Sequence, residues 1–433
     1  MTLQKTETKE TKIEITDLAF GGRGFGRNSQ GKAVMVQGAL KGETVMARVI
    51  KEHKDYDQAE VAEIITPSPD RQEPLCPYYQ ECGGCNLMHL AYPAQVKAKT
   101  AWVERALYRV PGIKLKKVIC SPISEAYRNR TRFKVKDGKI GFFAPGTNDL
   151  VEIANCPVAK EPINRMLPEL ADLPELWEGP EPKEIELLTG LEETVFATVI
   201  FERSQRVPSH KLQQLRASLL DAGFSGIRFS VAGRLEHWEF AKENAVGMHN
   251  SENLDLLAFP GFFSQVNFAT NELLLTELAK EAGEGNGREA LDLYAGTGNF
   301  SLPLLSQGWL VTSVENAAGS LDAISFGAEL NGLQKGLAGF QGRVEKVLPV
   351  LWEEKACFDL VVLDPPRAGA KGMMPGLARL DPSKIIYISC HPAALARDAN
   401  ELIKLGYQPG SLMVFDHFPH TGHVEALLGF EKS

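Results

Sequence analysis

The sequence predicts a multidomain α/β protein, with an OB-like β-barrel first, a central α/β region next, and a doubly wound parallel sheet last. Three observations carry this expectation. Residues 10 to 66 hold runs of β-forming residues cut by glycine-rich turns. From residue 268 onward, helical and strand patterns alternate in the rhythm of βαβ units. The chain has 433 residues, 44% hydrophobic and 24% charged, long enough for two or three cores.

Taken in order, KIEITDLAF, KAVMVQGAL, ETVMARVIKE and QAEVAEIITP are the barrel strands, broken by GGRGFGRNSQG and ALKGE. Such a barrel suits an oligonucleotide, although other small β-domains share the pattern. PSPDRQEP (67–74) reads as a linker, giving expected domains of 1–70, 71–260 and 261–433. AYPAQVKAKTAWVERALYRV (91–110) has helical periodicity, and residues 127–158 read as strands and turns. The latter begin with YRNRTRFKVK, five basic side chains interleaved with aromatics and no acid. It is either a solvated face or, beside an oligonucleotide barrel, an RNA contact. EPINRMLPELADLPELWEGPEP reads as a surface connection, and one helix stands out near KLQQLRASLLDAG. The helix FATNELLLTELAKEA then leads into the strands ALDLY, VTSVE, FDLVVLD and KIIYIS. SLMVFDHFP and HVEALLGF end the chain as two paired strands at one edge.

Composition excludes several classes. The polar start MTLQKTETKETKIEI has no apolar signal-peptide core, and no run approaches the roughly 18 to 20 apolar residues of a membrane span. A cytoplasmic, monomeric protein without membrane partners is expected. Seven cysteines, an odd number, in a reducing compartment argue against disulfides. A net charge of −8 confines any nucleic-acid surface to a local patch.

The stretch LDLYAGTGNFSLPLL passes from strand to helix, and Gly296 and Gly298 let its backbone come close to a ligand. Asp292 precedes the turn, and Glu315 ends the next strand, where a carboxylate can hold both ribose hydroxyls. With AGTG but no third glycine for a pyrophosphate, S-adenosylmethionine is favoured over a dinucleotide. Asp364, in LDPPRAGAKG, is held by two prolines at the carboxyl edge of the sheet and suits a planar base with a ring N–H. Cys390, in YISCHP, ends another strand, either as a small hydrophobe or as a nucleophile. Glu425, in HTGHVEA, is a base or a rim charge. One chemistry unites them. A thiolate adding to carbon 6 of uracil makes carbon 5 nucleophilic enough to accept a methyl group, and a base then removes the carbon-5 proton.

On these residues the chain resembles the RNA uracil-5 methyltransferases, closest to the iron–sulfur enzymes acting on 23S ribosomal RNA. ITDLAFGGRGFGR is similar to the start of the TRAM barrel, and DPPRAGAKG, YISCHPAALARD and FPHTGHVE to the family's signature blocks. The resemblance implies a Rossmann-like class I methyltransferase domain with Cys390 as nucleophile, Glu425 as base and Asp364 on the uracil ring. It implies cofactor contacts from Gln265, Tyr294, Asn299 and Glu315, and stacking of the flipped base on Phe263. RNA would be gripped by the barrel and by Arg128, Arg130, Arg132 and Lys134. It also implies that the helix near 91–120 packs on the catalytic domain.

The resemblance also speaks to the cysteines of CPYYQECGGC. Cys76, Cys82 and Cys85 in a Cys-x5-Cys-x2-Cys run, with Cys156 as a distant fourth, would bind one [4Fe–4S] cluster. Four thiolates also suit zinc. The spacing differs from that of radical enzymes, so the implied role is structural or RNA-positioning. Cys120 and Cys357 stand in no motif. Two departures are Arg343, where an acidic or amide residue is common, and His391, where asparagine is usual. Ribosomal RNA is the expected substrate, with transfer RNA as alternative. A non-catalytic RNA-binding iron–sulfur protein is the alternative from another class.

Overall fold

The computed structural model describes residues 10–251 and 254–433, so the first nine residues of the expected barrel domain lie outside it. The chain forms two compact units, Met1–Arg105 with Phe418–His423, and Ala106–His417 with Val424–Ser433.

In the first unit, β1 (Glu10–Leu18), β2 (Gly24–Arg27), β3 (Ala33–Gln37), β4 (Thr44–Glu52) and β5 (Tyr56–Thr66) close a barrel in the order β1-β2-β3-β5-β4. Alternate residues Ile13, Ile15, Val34, Val36, Val45 and Ala47 fill its interior. β2 comes from the stretch GGRGFGRNSQG, which the sequence suggested was only a break. Its glycines are there for close strand approach: a Cβ on Gly26 would lie 2.4 Å from the Glu14 carbonyl oxygen. The helix α1 (Tyr92–Leu107) is tied to the barrel by Trp102 Nε1, which donates to the Leu18 carbonyl at 2.8 Å.

The second unit opens with β6 (Lys114–Ile119), whose partner comes from the far end of the chain. A seven-stranded sheet follows, made of β7 (Arg130–Lys136), β8 (Lys139–Phe143), β9 (Leu150–Glu152), β10 (Glu184–Thr189), β11 (Val195–Ile200), β12 (Gly226–Val231) and β13 (Arg234–Leu235). The helices α2 (Glu161–Ala171), α3 (Pro174–Trp177) and α4 (Ser209–Asp221) join its strands. Two of these occupy the proline-rich stretch expected to be a plain connection. Pro162 sits in the first turn of α2, where a missing N–H costs nothing, and Ile163, Leu167 and Leu170 are buried beneath it.

A hairpin of β14 (Val246–Ser251) and β15 (Leu254–Ala258) leads into α5 (Phe268–Ala282). Then come β16 (Glu289–Leu293), α6 (Ser301–Ser306), β17 (Leu310–Glu315), α7 (Ser320–Leu330), β18 (Leu337–Gln341), α8 (Val344–Glu353) and β19 (Leu360–Leu363). The chain continues through α9 (Met374–Ala378), β20 (Lys384–Ser389), α10 (Pro392–Lys404), β21 (Tyr407–Phe415) and β22 (Glu425–Lys432). These strands form an eight-stranded sheet in the order β18-β17-β16-β19-β20-β22-β21-β6. β16 to β20 run parallel, and strand order reverses between β16 and β19, which opens a crevice at their carboxyl ends.

The two units divide at residue 105, with Phe418–His423 grouped with the first. Leu188 and Phe196 of the seven-stranded sheet share one core with Met248, Leu256, Leu274, Phe300 and Leu302, so no linker separates them. The strand β6 pairs with β21 and covers the edge that the sequence assigned to the last two strands.

Candidate active site

The crevice begins with the turn after β16. Tyr294, Gly296 and Gly298 have φ of +63°, +56° and +94°, the left-handed region that glycine enters freely and tyrosine does not. The turn is tethered to β17, because the Tyr294 and Ala295 N–H groups donate to the Val314 carbonyl at 3.0 and 3.2 Å. Glu315 holds it from the strand end: Oε2 accepts from Gly296 N–H at 3.0 Å, and Oε1 from Asn316 and Ala317 N–H at 2.6 and 2.7 Å. Asn299 exchanges two amide hydrogen bonds, of 2.8 and 3.0 Å, with Asn271 of α5.

A pocket partly open to solvent lies against this turn. Phe263, Gln265, Tyr294, Gly296, Gly298, Asn299 and Asp364 line it, so seven residues singled out from the sequence meet in one place. Met248, Leu256 and Leu257 of the hairpin supply an apolar wall that the sequence did not foretell. Ser264 was also missed. It lines the pocket, and its buried hydroxyl has no hydrogen-bond partner among the described residues, although it stands beside Gln265 in FFSQVNF. Phe263 is 63% exposed at the mouth, with the Arg130 guanidinium 5.8 Å from its ring centroid. Beneath the turn, Asp292 is fully buried and accepts from Ser301 Oγ at 2.5 Å. Burial pushes its pKa up to about 7, Ser301 opposes, and Asp364 and Glu315 add to the rise.

Three strand ends bring Asp364, Cys390 and Glu425 to the same rim, directly after β19, directly after β20 and at the first position of β22. Burial raises Asp364 to about 7. Glu425 is 4% exposed, and its buried Oε1 has no hydrogen-bond partner among the described residues. Burial and then the charge of Asp364 raise its pKa well above the ordinary carboxylate value. Cys390 is half-buried. Burial, Glu425 and Asp364 push its thiol up to about 12, and Arg367 pulls the other way. The rim therefore holds a thiol and two carboxyls that resist ionisation together, a pattern of functional sites. His391 caps α10, its Nδ1 accepting from Ala394 N–H at 3.2 Å, so it does here what an asparagine does at a helix start.

The basic strand is more complicated than its sequence. Arg130 and Arg132 both bind Glu186, at 2.6 and 2.7 Å, and Lys134 binds Glu184. The neutralising acids sit on β10, some 50 residues later, which is why a window without acids misled. Arg128 lies just outside β7 and forms bridges to Ala159 and Asn267.

The cysteine loop lies in the first unit as a run of turns, with Cys76, Cys82 and Cys85 half-buried. Gly84 N–H donates to Cys82 Sγ at 3.3 Å, the kind of amide contact that stabilises a thiolate. Thiolate donors of this kind suit an iron–sulfur cluster and zinc alike. Among the described residues, however, no three histidine, cysteine or acidic side chains are gathered so as to hold a metal ion. Cys156, in the second unit, is buried, with its N–H donating to Asn164 Oδ1 at 2.9 Å.

The model of the tRNA (uracil-5-)-methyltransferase family matches residues 91–335 and 350–433, and that of the TRAM domain matches residues 4–62. The chain belongs to this family. It is an RNA (uracil-5-)methyltransferase that uses S-adenosylmethionine. The 23S rRNA (uracil(1939)-C(5))-methyltransferase of Aeromonas hydrophila is 33% identical over 442 residues, covering 99% of this chain and 98% of that protein. Its namesake from Neisseria lactamica is 31% identical, covering 98% and 96%. The fold also matches the Pyrococcus abyssi tRNA (uracil-54, C5)-methyltransferase solved with S-adenosyl-L-homocysteine. The TM-score is 0.75 at 22% identity, over 97% of this chain and 99% of that one. Among the described residues of this methyltransferase, no helix is long and apolar enough to cross a membrane.

Proposed function

We propose that this methyltransferase forms 5-methyluridine in large-subunit ribosomal RNA by covalent catalysis, acting as a cytoplasmic monomer. The observation that carries the reading is the meeting of Cys390, Glu425 and Asp364 at one strand-end rim, beside a pocket with a glycine turn. The pocket fits the cofactor: Gln265 and the orphaned Ser264 hydroxyl offer polar groups, and Gly296 and Gly298 keep the wall open. S-adenosylmethionine, when bound, supplies an electrophilic methyl group.

Cys390 loses its thiol proton to solvent, the thiolate Sγ bonds to carbon 6 of the uracil, and the electron pair of the 5,6 double bond moves toward carbon 5. Asp364 accepts from the ring N–H and fixes the plane of the base. Phe263, exposed at the mouth, stacks on the unstacked nucleotide. After carbon 5 is methylated, Glu425 removes its proton, the double bond re-forms, and the carbon–sulfur bond breaks to return the thiolate. A carboxylate whose ionised form is disfavoured is a strong proton acceptor once ionised, which suits Glu425 to that step. The barrel and the exposed flank of the basic strand, where Arg132 and Lys134 reach solvent, hold the RNA outside the pocket.

We assign Cys76, Cys82, Cys85 and Cys156 to a [4Fe–4S] cluster, with zinc as the competing occupant. Iron and acid-labile sulfide measured on anaerobically purified protein test this, and Cys82→Ser should lose both. Zinc without iron would reject the cluster.

The substrate is tested with labelled S-adenosylmethionine and separated, unmodified ribosomal and transfer RNA, followed by nucleoside analysis. Label as 5-methyluridine in the ribosomal pool is expected. Label confined to transfer RNA would favour the other substrate, which the family's description and the similar archaeal fold keep in view.

A further inference from the structure

The loop after β19 carries two groups that act on the Cys390 rim: Asp364 at its start and Arg367 three residues on. A loop of this kind, glycine-containing and exposed over residues 366–368, would wander unless something held it. Its far end is held by one carboxylate. Asp398 of α10 is fully buried, and its Oδ2 accepts from Ala370 N–H at 2.9 Å and from Tyr387 O–H at 2.7 Å. Its Oδ1 accepts from Arg397 Nε–H at 2.7 Å. Arg397 in turn donates through Nη2 to the Ala368 carbonyl at 3.0 Å. Gly369 makes the approach possible. Its φ is +72°, and a Cβ there would lie 2.6 Å from Arg397 Nη2 and 2.7 Å from Asp398 Oδ2.

The elements joined are the ones that carry the chemistry. Tyr387 lies on β20 three residues before Cys390, α10 starts two residues after it, and the loop begins at Asp364. We propose that Asp398 is a positioning residue: with Tyr387 and Arg397 it locks the 364–370 loop to α10 and so sets where Asp364 and Arg367 stand relative to Cys390. The three residues lie outside the pocket lining, and none is assigned to cofactor or base. This rests on the covalent reading of the rim. A misplacement of about 1 Å between reacting groups can cost roughly 100-fold in rate, so a clamp of this kind is worth building.

The test uses the full-length protein and RNA carrying 5-fluorouridine at the target, where fluorine cannot leave as a proton and the thioether adduct persists. Arg397→Ala removes a half-exposed side chain and Tyr387→Phe only a hydroxyl, so both variants should fold; Asp398→Asn removes the hub. Adduct formation should fall roughly 10- to 100-fold in Asp398→Asn and Arg397→Ala, and less in Tyr387→Phe. The dissociation constant for S-adenosylmethionine should stay within about twofold, a split that general destabilisation would not produce. Wild-type adduct rates in Arg397→Ala and Tyr387→Phe, or cofactor binding lost in step with adduct formation, would overturn the clamp. Wild-type protein that methylates RNA yet forms no adduct would sink the covalent reading, and the clamp with it.

Discussion

Glu186 and Glu425 are two glutamates of the same unit, each on a strand and each nearly inaccessible, at 2% and 4% exposure. Burial alone would raise both. At Glu186 it is overridden by Arg130 and Arg132, whose charges and hydrogen bonds hold the carboxyl below its ordinary range. At Glu425 no cation among the described residues offsets it, and the neighbouring Asp364 pushes the same way. A buried acid with partners is architecture, whereas one left without them is a reservoir for moving protons. Substitutions at the two places should therefore fail in opposite ways.

The largest effect is expected at the rim. Cys390→Ala should lower turnover by roughly 10⁴-fold or more while S-adenosylmethionine still binds, because no other group supplies the attack on carbon 6. Turnover near the wild-type rate would end the covalent mechanism. Glu425→Gln should slow turnover by about 10²- to 10⁴-fold and accumulate a protein–RNA adduct on denaturing gels, since methyl transfer proceeds but the proton stays. Normal product release without an adduct would move Glu425 to the architectural class.

On the other side of the comparison, Glu186→Gln should cost about 3 kcal/mol in urea unfolding, because it strands Arg130 in a mostly buried place. The rate per folded molecule should change far less than at the rim. The pH dependence sharpens the contrast. Glu186 is held below its unfolded value, so its contribution is present at neutral pH and fades as pH falls below about 4.5. Glu425 is held above that value and costs stability as pH rises past about 4.5, so Glu425→Gln should gain stability at neutral pH and lose the gain near pH 4.5. Parallel curves for the two variants would erase the distinction. The smallest effect is expected at Arg367→Ala. Losing the cation that favours the Cys390 thiolate should shift the pH–rate profile toward alkaline values and slow turnover a few-fold.

Legibility in the sequence followed range. Elements whose pattern is local were read well: α5 spans the residues expected, and Asp364, Cys390 and Glu425 fall at the strand ends assigned to them. β18, with the weak pattern LAGFQ, was not located. What needs a distant partner was hidden. The acids that neutralise Arg130, Arg132 and Lys134 lie on β10, and no periodicity announces that β7 will pair with it. Asp398 stands in YISCHPAALARD without any mark that its carboxylate reaches back to Ala370. The grouping of 71–105 with the barrel likewise depends on tertiary burial, such as Leu87, Leu90 and Trp102 against Leu18 and Leu40.

The place of β6 has a consequence during synthesis. Among the described residues it pairs only with β21, about 290 residues later, so at ~5–20 residues per second the ribosome leaves it without its strand partner for roughly 15 to 60 s. An unpaired hydrophobic strand would invite aggregation over such a wait. In KLKKVI, Lys114, Lys116 and Lys117 make that segment too charged to zip onto a neighbouring nascent chain. In the finished enzyme Lys117 pairs with Glu277 at 2.8 Å, so a charge that guards the waiting strand also settles it once β21 has emerged to close the seam.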